Sequence, residues 1–265
     1  MKAMKTISLW NILASEFFKS KRNVGLIVLL CLPVVVSMYF FASTWIDGAK
    51  HSDSVTLGTY FWEQYTRAHF NFYLFLYPLI VSFAVFSFNN IEYPNGCTRL
   101  IFTLPVKKSR MYLAKVLVMF SYTTCSVMLA YALFVLSINA LSFLFPEWHL
   151  NSFELKDDIN ILFCRTYISM LAIMMIQNCL SLFFRNFMIP VSVALVCTVV
   201  SIVASKWKWA FLFPYGGILK ALEWFYQEDL HLFRKEIIAS LICIAAFYLI
   251  GAIIFKNSHK IHKNK

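Results

Sequence analysis

The sequence predicts an all-α protein with six transmembrane helices, and its composition, its charge-free runs and its charge distribution all favour this fold class. Of the 265 residues, 60% are hydrophobic and 14% are charged. A soluble domain carries about 25% charged residues. Because a soluble globule this apolar would lack polar groups to cover its surface, we expect the chain to fold in a lipid bilayer.

The N-terminal residues 1–23 are predicted to form an interfacial amphipathic helix. On a helical wheel, Trp10 and Phe17 fall on an apolar face, and Glu16 falls on the opposite, polar face. Apolar Ile12 is an exception, because it lies on the polar side. Such a helix lies in the plane of the membrane interface rather than across it. An amphipathic helix that packs on other protein is the alternative.

Six apolar runs are each predicted to cross the membrane. The first contains 23 residues without a charge, which is long enough to span with some tilt. Residues 24–265 are therefore predicted to form a single transmembrane domain. The predicted spans are residues 24–46, 70–91, 111–140, 166–184, 187–205 and 237–255.

The charges between these runs predict that both chain termini are cytoplasmic. With the N-terminus inside, the inner segments contain fifteen cations and two acids, whereas the outer segments contain nine cations and eleven acids. Lys and Arg are enriched in cytoplasmic loops. The net charge of +11 therefore reflects membrane orientation, and we expect a multi-pass protein of the cell membrane without a nucleic-acid partner.

Residues 206–236 fit this topology least well, because they are predicted to be outside yet carry five basic residues. Their apolar part, residues 209–219, is too short to cross the bilayer, and Pro214 and two glycines interrupt it. We predict a short re-entrant or interfacial element here, continuing into an amphipathic helix near residues 218–229 before the last span.

The sequence contains no recognisable catalytic or nucleotide-binding motif. GxxxxGK[ST], GxGxxG, HExxH and GxSxG are all absent. The seven cysteines include no CxxC pair, so neither a disulfide nor a metal site is expected. No predicted span has Asp, Glu or His at its centre, which argues against proton-driven pumping and intramembrane proteolysis. Energy for uphill transport would then have to come from another chain.

Uncharged polar residues within the predicted spans are the candidates for a substrate path. The most notable are Asn71 and the adjacent pair Gln177 and Asn178. A side-chain amide in lipid needs a hydrogen-bonding partner, so it faces either another helix or a water-filled path. The sequence leaves both interpretations open.

The loop between the second and third spans, within residues 88–112, is polar and basic. Pro94 and Gly96 favour a turn, and residues 96–103 have the length of about two helical turns before Pro105 ends them. A short helix held between two spans would tilt both of them when pulled.

Together with the six-span layout, this loop resembles the coupling region of permease subunits of type-two ABC exporters. The resemblance rests on a glutamate, a Gly-x-Thr and a Leu-Pro followed by basic residues, and residues 13–22 are similar to the connecting helix of that family. It implies a coupling helix that docks on a cytoplasmic ATPase, with Glu92 as its anchor and Arg99 as a second contact. The implied coupling residues are Glu92, Pro94, Gly96, Thr98, Arg99 and Pro105.

The resemblance also implies the partners of the chain. ATP and magnesium would bind to the separate ATPase, so this chain would need no cofactor and would not itself be an enzyme. A second permease subunit, identical or a sister, would complete the transporter. Within the family, the chain looks closest to Gram-positive permeases for lantibiotic immunity and antimicrobial peptides, which implies a hydrophobic or amphipathic substrate. A non-transporting membrane scaffold or sensor and a polytopic membrane enzyme remain the alternatives.

Overall fold

The computed structural model describes residues 8–50, 57–91, 107–148, 156–184, 186–227 and 231–261, and every regular element in these ranges is helical. The first α-helix begins after Ser8, whose hydroxyl oxygen accepts a hydrogen bond from the backbone N–H of Asn11 and so caps the helix. The described α-helices are α1 (Leu9–Ser20), α2 (Val24–Lys50), α3 (Leu57–Asn90), α4 (Lys108–Leu144), α5 (Lys156–Phe183), α6 (Met188–Val203), α7 (Gly217–Tyr226) and α8 (Lys235–Ile261).

Five of the described helices are long and apolar enough to cross a membrane. They overlap five of the six predicted spans. The remaining prediction falls on α6, which is apolar but has 16 residues. Such a helix is about 24 Å long, whereas the hydrocarbon core is about 30 Å thick. The candidate spans are Val24–Ile46, Gln64–Asn90, Lys108–Leu144, Ile159–Phe183 and Lys235–Lys256.

Four of these spans begin earlier than the sequence predicted, and two of them begin earlier by more than one helical turn. Those in α3 and α5 start at Gln64 and Ile159, six and seven residues before the predicted starts. The added turns contain His69 and Arg165, which are 0% and 1% exposed. Because these polar side chains face the interior of the bundle and not lipid, the helices continue through them.

Helix α5 forms the centre of the bundle. It packs against α3, α4, α7 and α8, and 67% of its most apolar 18-residue stretch is buried. In α8, only 17% of the most apolar 18-residue stretch is buried. Helix α2 packs closely on α3 at Gly25, where an added Cβ would lie 2.7 Å from the Cβ of Ser87.

The apolar stretch before α8 is broken into short elements, as Pro214 suggested. The 3-10 turns Ala210–Leu212 and Pro214–Gly216 precede the ten-residue helix α7. Tyr215 is 1% exposed, and this turn packs on α5 and α6. Re-entry of this stretch into the membrane remains a prediction.

Candidate functional site

The coupling helix predicted around residues 90–103 falls mostly on residues 92–106, between α3 and α4, which lie outside the described residues; we call it the coupling segment. The structure nevertheless shows both of its attachment points. Helix α3 ends at Asn90, and α4 begins at Lys108. The predictions that fall in the undescribed stretch are Glu92, Pro94, Gly96, Thr98, Arg99 and Pro105.

Close to both attachment points, Glu16 of α1 is buried against α4. Its carboxylate accepts a hydrogen bond from Lys19 Nζ at 2.7 Å and lies 3.5 Å from Lys115 Nζ. Glu16 and Lys115 are 2% and 3% exposed. Lys115 Nζ also lies 5.3 Å from the ring centroid of Phe88, in the last turn of α3. Lys115 therefore contacts α1 and α3 from its own position on α4.

The orientation of α1 differs from a simple division into polar and apolar faces. The side turned to the bundle contains Ile12, Glu16 and Ser20, whereas Trp10 and Phe18 are each 75% exposed. The sequence grouped Ile12 as an exception on the polar face. The structure buries Ile12 and Glu16 of that face, whereas Ser15 on the same face is exposed.

Polar partners on α4 explain why the side of α1 with Glu16 and Ser20 is turned inward. Lys115 supplies an opposite charge for Glu16, and the Ser20 hydroxyl lies 3.0 Å from the Tyr122 hydroxyl. The ring of Phe17, which is partly buried, stacks on Tyr122 with centroids 6.4 Å apart. A wheel drawn from α1 alone contains no information about these partners.

Gln177, a candidate for a substrate path, joins three elements through its amide. Its Oε1 accepts a hydrogen bond from Ser82 of α3 at 3.0 Å, and its Nε2 donates one to the Tyr215 hydroxyl at 2.6 Å. Gln177 and Ser82 are both 0% exposed. Burial raises the pKa of the Tyr215 phenol, so this hydroxyl remains a neutral acceptor.

The adjacent Asn178 makes a second set of interhelical bonds. Its Oδ1 accepts from Asn89 Nδ2 at 2.9 Å, and its Nδ2 donates to the Tyr112 hydroxyl at 3.1 Å. Asn89 Nδ2 also donates to Ser181 Oγ at 2.6 Å. These bonds join α3, α4 and α5 near the attachment points of the coupling segment. We call the two sets together the polar seam, formed by Ser82, Asn89, Tyr112, Gln177, Asn178, Ser181 and Tyr215.

The seam answers the question of what the two amides contact in this conformation. Both side-chain amides form hydrogen bonds to neighbouring protein groups through their oxygen and through their nitrogen. These contacts agree with the interpretation that the amides hold helices together. Asn71, the third candidate, is exposed on α3 and does not join them. A substrate-lining role for these residues remains a prediction.

Comparison with known proteins identifies the family. Residues 12–201, more than half of the chain, match the sequence model of the ABC-2 family transporter proteins. The protein belongs to this ABC-2 family. No curated protein matches the sequence significantly. The ABC-2 match contains Glu16, Lys115, the coupling segment and all of the polar seam except Tyr215. The chain is accordingly a multi-pass membrane subunit of an ABC transporter.

The opposite end of this ABC-2 subunit contains a charged cluster that the sequence did not indicate. Arg165 is 1% exposed, and its guanidinium donates to the backbone carbonyl of His231, just before α8. Glu236, which is 5% exposed, interacts electrostatically with it. One signal was available, because the polar residues Arg165 and Ser169 are four residues apart and so lie on one face of α5.

Two further arginines hold α7 in this part of the ABC-2 subunit. The guanidinium carbon of Arg67 lies 4.7 Å from the ring centroid of Tyr226. That of Arg234 lies 4.4 Å from the ring centroid of Trp224. Since these arginines come from α3 and from the approach to α8, their cation-π contacts join three parts of the chain.

Proposed function

We propose that this membrane subunit moves a hydrophobic or amphipathic substrate out of the membrane or the cell, driven by a separate cytoplasmic ABC ATPase. The observation that carries the proposal is the ABC-2 family match over residues 12–201. The absence of a phosphate-binding loop from the sequence supports a separate source of energy. ATP and magnesium would bind to that partner.

The coupling segment gives this proposal a mechanism. Glu92 would anchor the segment in a cleft of the ATPase, and Arg99 would make a second contact. ATP binding would bring two ATPase domains together, and with them the coupling segments of two permease subunits, identical or sister. The resulting shift of α3 and α4 would change which side of the membrane the substrate path faces.

The buried contacts near the attachment points support a coupled movement. Lys115 contacts Glu16 of α1 and Phe88 of α3, and the polar seam joins α3 to α4 and α5. Packed elements of this kind shift between discrete arrangements more readily than they deform. A pull on the coupling segment would thus be shared among several helices.

For the substrate, we propose an antimicrobial peptide of the lantibiotic type. This assignment extends the chain's resemblance, within the family, to Gram-positive permeases for lantibiotic immunity and antimicrobial peptides. Such amphipathic peptides accumulate at membrane interfaces, from which a transporter could collect them. Loss of resistance to one lantibiotic in a strain without this subunit would support the assignment, and unchanged resistance to a panel of lantibiotics would contradict it.

Glu92→Ala tests the coupling mechanism. We expect the variant to enter the membrane normally but to lose co-purification of the ATPase and transport-linked ATP hydrolysis. Glu147→Ala is the matched control, because Glu147 is an exposed acid that follows α4 at the other end of the bundle. Normal ATPase binding and transport by Glu92→Ala would contradict the role of Glu92. If no ABC ATPase co-purifies with the wild type, a scaffold or sensor would be favoured instead.

Cysteine labelling tests the proposed orientation, with both termini in the cytoplasm. With Cys97 as the sole cysteine, an impermeant maleimide should fail to label intact cells and should label inverted vesicles. Glu147→Cys in the cysteine-free chain should show the reverse. Labelling of Cys97 from outside intact cells would overturn the orientation and the coupling mechanism together.

A further inference from the structure

The side of α1 that faces away from the bundle combines aromatic and basic side chains. Trp10 and Phe18 are each 75% exposed, and Lys21 and Arg22 are exposed directly after the helix. Glu16, the acidic residue of α1, is turned to the opposite side and is 2% exposed. The outward face therefore carries two positive charges without an acid of α1 beside them.

The positions of these side chains suit a surface that lies flat on a membrane. Trp10 and Phe18 are eight residues apart, which corresponds to about 12 Å along a helix. The ammonium group of Lys21 lies 5.7 Å from the ring centroid of Phe18. Aromatic rings favour the boundary between headgroups and acyl chains, and the long basic side chains can reach outward to the phosphates.

Other exposed cations at this end of the bundle enlarge the positively charged surface. Lys107 precedes α4, and Lys256 lies near the end of α8. The two helices meet here, since Lys108 Nζ donates to the backbone carbonyl of Lys256 at 3.4 Å. Among the described residues near these helix ends, the acidic residue is Glu16, and its side chain is buried between Lys19 and Lys115.

We propose that Trp10, Phe18, Lys21 and Arg22 form a binding surface for anionic phospholipid headgroups in the adjacent leaflet. The negatively charged headgroup meets Lys21 and Arg22, and the boundary of the acyl chains accepts the two rings. An acidic protein surface would match the cations alone. An anionic lipid matches both the cations and the aromatic rings, so the combination of the two favours a lipid.

Site-specific photocrosslinking tests this surface on the full membrane subunit without an ATPase. Phe18→benzoylphenylalanine places the probe between the cations and the lipid. In nanodiscs with equal amounts of phosphatidylglycerol and phosphatidylcholine, we expect phosphatidylglycerol adducts to be favoured roughly threefold or more. Adding Lys21→Gln and Arg22→Gln should bring the ratio close to one.

Lys206→Gln with Lys208→Gln is the matched control for this experiment. It removes the same charge from two exposed lysines far along the chain, and Lys208 Nζ lies a similar 5.8 Å from the ring centroid of Trp209. This control should leave the adduct ratio at position 18 unchanged. An equal ratio in the parent protein, or a preference that survives Lys21→Gln and Arg22→Gln, would overturn the proposal. Either result would leave the ATPase test at Glu92 unaffected.

Discussion

Glu16 of α1 and Lys115 of α4 form a buried ion pair, with Lys115 Nζ 3.5 Å from a carboxylate oxygen of Glu16. The pair fastens the N-terminal helix to the second turn of the helix that follows the coupling segment. Lys115 also contacts the ring of Phe88, two residues before the end of α3. The buried side chain of Lys115 on α4 thus contacts both α1 and α3 near the coupling segment.

Breaking this pair should destabilise the protein. Glu16→Ala leaves Lys115 buried without its acid, and removal of one partner of a buried pair costs about 3–5 kcal/mol. We expect a clearly lower melting temperature in detergent for Glu16→Ala. The double variant Glu16→Gln with Lys115→Met should recover much of the loss, because neither charge remains.

Lys19→Gln is the control for the ion pair. Lys19 also binds Glu16, but its side chain is 35% exposed, so its removal should have a much smaller effect. A melting temperature of Glu16→Ala equal to that of Lys19→Gln would show that burial does not strengthen the pair with Lys115.

The polar seam makes a separate prediction at Asn178. Asn178→Leu removes the hydrogen bonds to Asn89 and Tyr112, and interhelical bonds in membranes contribute about 0.6–2 kcal/mol each. We expect Asn178→Leu to lower thermal stability and Asn71→Leu, at an exposed position, to leave it nearly unchanged. Full stability of Asn178→Leu with altered substrate preference would instead favour the substrate-path interpretation.

The spanning helices were predictable because lipid imposes length and apolarity on each one separately. Runs of uncharged residues identified all five helices that the structure shows to be long enough to span, the first of them as Val24–Ile46 in both cases. Errors arose where polar residues face the bundle. His69 and Arg165 made the predicted runs begin too late, because a sequence pattern does not show that a polar side chain is shielded from lipid.

The site was less predictable, because its contacts join residues far apart in the chain. Asn178 was singled out as an amide in lipid, but its partners Asn89 and Tyr112 lie 89 and 66 residues away. Glu16 was assigned to a polar face, since Lys115 as its buried partner could not be inferred from α1 alone. Such pairings depend on how the helices pack.

Gly25 tests the close packing of α2 on α3. An added Cβ there would lie 2.7 Å from Ser87 Cβ and 2.9 Å from Ala84 Cα, so one helix must move. Helix propensity alone favours Ala over Gly by about 1 kcal/mol. We nevertheless expect Gly25→Ala to lower the melting temperature, because the steric clash outweighs that gain.

Gly216→Ala is the control for this substitution, because the nearest side-chain atom, Ser201 Cβ, would lie 3.5 Å from the new methyl group. This distance is an ordinary van der Waals contact. The control should therefore keep the parent melting temperature. Stabilisation by Gly25→Ala would show that α2 and α3 can separate at little cost.

Arg165 should be essential for stability at the end of the bundle opposite the coupling segment. Its guanidinium donates to the carbonyl of His231 and interacts with buried Glu236. Arg165→Met removes a positive charge from beside Glu236 and the donor to the His231 carbonyl, and loss of a hydrogen bond made by a charged group typically costs about 1.5–3 kcal/mol. Adding Glu236→Gln should recover part of the melting temperature.

Arg165→Lys and Arg67→Met make this last prediction specific. Lysine keeps the charge but lacks the planar guanidinium, so Arg165→Lys should fall between wild type and Arg165→Met. Arg67 is exposed, and its cation-π contact with Tyr226 should contribute about 0.5–1 kcal/mol. Because Arg165 is buried and Arg67 is exposed, we expect Arg67→Met to lower the melting temperature in detergent less than Arg165→Met does. Equal melting temperatures for Arg67→Met and Arg165→Met would mean that Arg165 contributes no more than a surface arginine.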